Sequence, residues 1–95
     1  MDAEELKVRK RRIRFRADHR GMKELDLLFG RLADEVLDEL DEAGVAEFER
    51  LLEVPDAVML SWVAGEVTPP AAYRGRLLEK LMRYELRPRD YGRNL

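Results

Sequence analysis

Apolar residues recur with a helical rhythm along most of this chain, most clearly between Met22 and Leu40. Leu25, Leu28, Phe29, Leu32, Val36 and Leu40 follow i, i+3, i+4, i+7 spacing, and Asp34, Glu35, Asp38 and Glu39 take the other side. A second stripe, Val45, Phe48, Leu51 and Leu52, predicts a helix capped by Asp41 and ending near Glu53. Gly44 weakens its first turn. Pro55, or Asp56 as its cap, opens a short helix with Met59, Trp62 and Val63 inward and Gly65 as its C-cap. Thr68-Pro69-Pro70 predicts one further start. The apolar face there is Tyr73, Leu77, Leu78, Leu81, Met82 and Tyr84, and Pro88 ends it.

Residues 4–20 carry two patterns. Arg12-Ile13-Arg14-Phe15-Arg16-Ala17 alternates like a strand, whereas Leu6, Ile13 and Ala17 share a helical stripe. No second strand is available to pair with, and Lys and Arg are good helix formers, so a helix is the better assignment. The expectation is an all-α, single-domain bundle of five short helices over residues 1–87, with a frayed polar tail at 88–95.

Size and composition narrow the functional classes. Ninety-five residues make one domain that buries about 60–65% of its unfolded surface, enough for one core but not for a deep catalytic pocket. Without cysteine there is no disulfide frame or thiolate metal site. No apolar run approaches the roughly 20 residues of a membrane span, so no membrane insertion is expected. The charged N-terminus does not read as a secretion signal. His19 is the only histidine, which excludes a multi-histidine metal site within one chain. Ser61, the only serine, has no recognisable base near it, and no glycine-rich phosphate loop is present. No catalytic residue and no metal ligand is proposed, and the chain is read as a non-enzyme.

Net charge is −2, but its distribution is uneven. Residues 1–23 hold nine Lys/Arg against four Asp/Glu, while residues 34–56 hold ten Asp/Glu against Arg50 alone. The acidic residues follow polar-face spacing and lack the ligand order of a Ca²⁺ loop, so a solvated face is the favoured reading. The basic first segment has three readings. It is a solvated helix partly neutralised by the acidic ones, a docking surface for a protein, or a nucleic-acid contact through phosphate neutralisation. Charge arguments favour them in that order.

The basic and leucine-rich segments meet at His19-Arg20-Gly21-Met22-Lys23-Glu24-Leu25-Asp26. Gly21 accepts a positive φ, so one helix should stop at Arg20 and the next should start near Met22. Glu24 then lies in a first turn, where the exposed N–H groups favour a carboxylate. Arg20 and Glu24 are expected to project from this turn. They either pair with each other, contributing roughly 0–1 kcal/mol if exposed, or face a partner. Trp62 reads first as core, with an indole N–H that wants an acceptor.

The run Arg20-Gly21-Met22-Lys23-Glu24, continued as Leu25-Asp26-Leu27-Leu28-Phe29-Gly30, resembles the succinate dehydrogenase assembly factor 2 family, the small flavinator proteins. Phe48-Glu49-Arg50-Leu51-Leu52-Glu53-Val54-Pro55-Asp56 and then Trp62 fit that family's spacing, and the resemblance covers roughly residues 9 to 87. It implies a five-helix bundle and an assembly chaperone. Such a chaperone binds the flavoprotein subunit of succinate dehydrogenase, or of fumarate reductase, and promotes covalent attachment of FAD to it. By resemblance Arg20, Gly21 and Glu24 lie at the flavoprotein contact, joined more weakly by His19, Asp56 and Trp62. No cofactor is expected to be held stably, FAD belonging to the client. A bacterial cytoplasmic setting is expected. Val58 and Leu60 stand where the family commonly has a second acid and an aromatic, so contacts of that acid do not carry over. The alternative is a small nucleic-acid-binding or antitoxin-like regulatory protein.

Overall fold

A computed structural model describes residues 2–84, and the tail expected at 88–95 lies outside them. Five helices account for the described fold: α1 (Ala3–Asp18), α2 (Lys23–Val36), α3 (Glu42–Leu52), α4 (Asp56–Val63) and α5 (Arg76–Arg83). Residues 3–18 are helical, which resolves the strand-or-helix ambiguity. Asp2 starts α1 by accepting the Glu5 N–H at 2.8 Å, and Glu4 and Glu5 sit in the first turn. Ile13 and Ala17 are its buried residues, and Leu6 packs at the margin.

Helix α2 buries the stripe read from the sequence: Leu25, Leu28, Phe29, Leu32 and Val36, with Ala33 added. It ends earlier than expected. Residues 37–39 tighten into a 3₁₀ turn, which brings Leu37 inward as well as Leu40. The tighter turn shifts the inward-facing position by a residue relative to an α-helix. Asp41 caps α3 as anticipated, accepting the Gly44 N–H at 2.9 Å. Phe48 from α3 meets Phe29 from α2 with ring centroids 6.1 Å apart, at the centre of the core.

The fifth helix differs most from expectation. It starts at Arg76 rather than after Thr68, and Tyr73 lies in a separate 3₁₀ turn, Ala71–Tyr73. The reason is tertiary. Glu47 of α3 reaches the Leu77 N–H at 3.4 Å and serves the exposed start of α5 in place of Thr68. Tyr73 instead packs on Trp62, centroids 5.4 Å apart. Leu77, Leu78 and Leu81 are buried, whereas Met82 is exposed and falls off the expected stripe. The helix ends at Arg83 with Tyr84 extended; Pro88, the expected terminator, lies outside the described residues.

Helix α1 packs against α2 and α3, while α5 closes the far side against α2, α3 and α4. Ion pairs bind the basic helix to the acidic ones. Arg9 pairs with Glu49, Arg14 with Asp34 at 2.6 Å, and Arg16 with Glu53 at 2.8 Å. Lys10 donates to the Asp38 carbonyl at 2.9 Å. The hydrogen bond from Arg9 holds the Glu49 carboxyl below the usual carboxylate range, against a partial desolvation that acts the other way. Much of the N-terminal positive charge is therefore neutralised within the fold.

Candidate functional site

The turn between α1 and α2 is built by three local features. His19 is the C-cap of α1, and its N–H reaches the Arg16 carbonyl. Gly21 has φ +97°, a region that strains any residue bearing a Cβ. Asp26 then reaches back and accepts the Arg20 N–H at 2.6 Å, closing the turn from inside α2. A Cβ placed on Gly21 would meet nothing within 4 Å. Gly21 is thus required by its backbone conformation and not by crowding, and its surface is open to an approaching molecule.

The arginine points the other way. Arg20 was expected to project from the turn, but its side chain is only 6% exposed. Its Nε and Nη2 donate to Asp56 Oδ1 at 3.0 and 2.8 Å. Nη1 donates to the Leu52 carbonyl at 3.1 Å and Nη2 to the Val54 carbonyl at 2.7 Å. The guanidinium carbon lies 4.6 Å from the centre of the Phe29 ring. Arg20 therefore does not pair with Glu24. It ties the α1–α2 turn to the α3–α4 connection, using the planar fork of donors that lysine lacks. One carbonyl from the last residue of α3, one from the α3–α4 connection and one carboxylate from the start of α4 receive it.

Glu24 sits half-buried in the first turn of α2, and its side chain has no hydrogen-bond or ion-pair partner among the described residues. It is the acid of the motif left available. Asp56, a third exposed, is the partner of Arg20. Trp62 is 4% exposed and packs on Tyr73, so it supports α4 from beneath and offers no outer face. His19 is exposed. Its ring stacks on Phe15 at 4.2 Å with the planes 16° apart, and its Nδ1 donates to the Phe15 carbonyl at 2.7 Å.

The sequence did not single out Phe15 as part of this site, yet it is 64% exposed beside His19. The two rings border an open groove of about 420 Å³ that passes Arg16, Glu53 and Pro55 and ends at the Arg20–Asp56 pair. The exposed turn, the groove and the first turn of α2 thus adjoin one another, with Arg20 as the anchor beneath them. Among the described residues no cluster of three or more potential metal ligands occurs, and no helix is long and apolar enough to cross a membrane.

Comparison with known proteins agrees with the resemblance carried by residues 20–30. Residues 11–85 match the family described as flavinator of succinate dehydrogenase. The chain is 31% identical over 77 residues to the FAD assembly factor SdhE of Acetobacter pasteurianus, covering 81% of this chain and 71% of that one. It is 43% identical over 63 residues to the FAD assembly factor SdhE of Idiomarina loihiensis, covering 66% and 69% respectively. It is also 29% identical over 92 residues to the mitochondrial succinate dehydrogenase assembly factor 2 of Scheffersomyces stipitis. That match covers 94% of this chain but 62% of the yeast protein, so the chain spans less than two thirds of this longer relative. No solved structure gives a significant match.

Proposed function

We infer the function from the family to which the chain belongs, the flavinators of succinate dehydrogenase. The chain acts as an assembly chaperone that binds the flavoprotein subunit of succinate dehydrogenase and promotes covalent attachment of its FAD. The flavoprotein of fumarate reductase is a second client of the same kind. The bacterial relatives named FAD assembly factors support a bacterial cytoplasmic setting. FAD stays with the client throughout, and this chain supplies no catalytic group.

The observation that carries this reading is the division of labour within Arg20-Gly21-x-x-Glu24. Arg20 is used internally, and its anchor fixes a turn whose Gly21 surface is open and whose Glu24 carboxylate has no described partner. A small-residue turn lets a partner's backbone come close, and an available carboxylate gives that contact a charge to recognise.

Attachment requires the client's acceptor side chain to be held against the flavin at near-attack distance. A rigid surface that binds only this arrangement shifts the client's population toward it. Preference for the competent arrangement by about 1.4 kcal/mol raises its equilibrium ratio to the alternative tenfold, so no large binding energy is needed. The chemistry then belongs to the flavin and the client.

The test is complementation. The chain is expressed in cells lacking their native assembly factor, together with the flavoprotein subunit, and covalent flavin is read by fluorescence of the denatured subunit in a gel. Restored fluorescence and co-purification of the two chains are expected. No restoration with any succinate dehydrogenase or fumarate reductase flavoprotein, despite a folded factor, would overturn the assignment.

A further inference from the structure

We propose that the outward ridge of α1 is a second part of the docking surface and receives an acidic segment of the client that places an apolar side chain against Phe15. This rests on the chaperone reading above. Val8, Arg12 and Phe15 stand at i, i+4 and i+7, so they form one line along the helix. At 100° per residue that line is nearly opposite Ile13 and Ala17, the residues α1 buries. Val8 is 38% exposed and Phe15 64%, which places apolar groups on the part of the helix farthest from the core.

Phe15 is exposed but held. Stacking on His19 covers one side of its ring, and the hydrogen bond from His19 Nδ1 to the Phe15 carbonyl fixes the pair as a unit. An ordered aromatic loses little rotamer freedom on binding, which is why such residues anchor protein interfaces.

The charges select the partner. Arg9, Arg14 and Arg16 reach carboxylates of α2, α3 and the residue after α3. Arg12 is exposed on the ridge itself and Arg11 beside it, and Arg11 has no ion pair among the described residues. The ridge is therefore apolar at its ends and cationic between them, complementary to an apolar side chain set among carboxylates. The surface is also continuous with the rest of the site. From Val8 to the end of α1 at Asp18, where the Gly21 turn begins, is about 15 Å at helical rise. The groove that starts at Phe15 and His19 leads along Arg16 and Pro55 to the Arg20–Asp56 anchor. An exposed aromatic on a basic helix also suits base stacking, but Arg9, Arg14 and Arg16 are held by carboxylates of the fold, which leaves a short cationic patch at Arg11 and Arg12 and not an extended track for a phosphate backbone.

The experiment measures binding of the purified flavoprotein subunit to wild type, Phe15→Ala, Phe15→Tyr and Arg12→Glu, with thermal unfolding of each alongside. Phe15→Ala is expected to weaken binding about tenfold or more with unchanged melting, since a rigid aromatic anchor is lost but no buried contact is. Phe15→Tyr should retain affinity. Arg12→Glu should weaken binding and flatten its salt dependence. Wild-type affinity in Phe15→Ala, from a factor that still flavinylates its client, overturns this proposal and leaves the chaperone reading standing. A wild-type factor that binds no flavoprotein overturns both. Tight, salt-sensitive binding of a single-stranded oligonucleotide that Phe15→Ala abolishes would assign the ridge to nucleic acid and overturn the proposal.

Discussion

Replacing Arg20 by alanine should unfold this protein more readily, not merely detach it from a partner. The substitution removes four hydrogen bonds: two to the Asp56 carboxylate and one each to the Leu52 and Val54 carbonyls. It also removes the contact over Phe29. Breaking a fully buried ion pair from one side costs about 3–5 kcal/mol. Asp56 is a third exposed, so water reaches the carboxylate left behind and lowers that cost. The two carbonyls lose charge-assisted bonds with a net value of about 1.5–3 kcal/mol each while buried, and local rearrangement recovers part of that. A loss of about 2–4 kcal/mol follows, because these losses share one site and do not add. For a domain of this size that is a fall in melting temperature of about 10–25 °C. Arg20→Lys should fall between, keeping the charge but not the fork. Urea unfolding of wild type, Arg20→Ala, Asp56→Ala and the double variant gives the coupling directly. A stability change under about 0.5 kcal/mol for Arg20→Ala would place this arginine among ordinary surface residues and refute the anchor.

Leu32→Ala should cost about 2–5 kcal/mol in the same assay, because Leu32 is fully buried on the inner face of α2. Gly21→Ala should cost about 1–2 kcal/mol through its positive φ alone, since its Cβ meets no neighbour. A much larger loss would mean that the turn is crowded. The Glu49 carboxyl has a folded pKa below its ordinary value of 4.5, so its pairing with Arg9 stabilises the fold fully above that pH and is lost as pH falls through the lowered value. The stability gap between wild type and Glu49→Gln should accordingly be constant near neutral pH and shrink below about pH 4.5. Glu35, held low chiefly by the Tyr84 hydroxyl, should behave in the same direction.

The parts of the fold legible in the sequence are those set by neighbours within a few residues. The α2 stripe, the Asp41 cap and the positive φ at Gly21 and Gly65 are local, and the structure has each of them. What was not legible depends on partners far along the chain. The start of α5 is set by Glu47, thirty residues before Leu77. The direction of Arg20 is set by Leu52, Val54 and Asp56, at separations of 32 to 36 residues. An arginine beside a glycine in a polar turn looks like surface until the acceptors of another loop arrive. One sequence signal pointed the right way: Asp56 directly after Pro55, an acid at a helix start with no local cation to meet it. The exposure of Phe15 was hidden for a related reason, because alternation and helical stripe competed over residues 12–17.

Glu24→Ala separates contact from anchor most directly, because Glu24 belongs to the motif but its side chain has no partner among the described residues. The measurement is covalent flavin fluorescence per mole of denatured client subunit, in cells whose only assembly factor is wild type or Glu24→Ala, with the melting temperature of each purified factor recorded. A factor that melts like wild type but leaves the client with a small fraction of its covalent flavin is the predicted result. Full fluorescence with Glu24→Ala, from a client that the wild-type factor is required to flavinylate, would contradict the assignment of this carboxylate to the client contact.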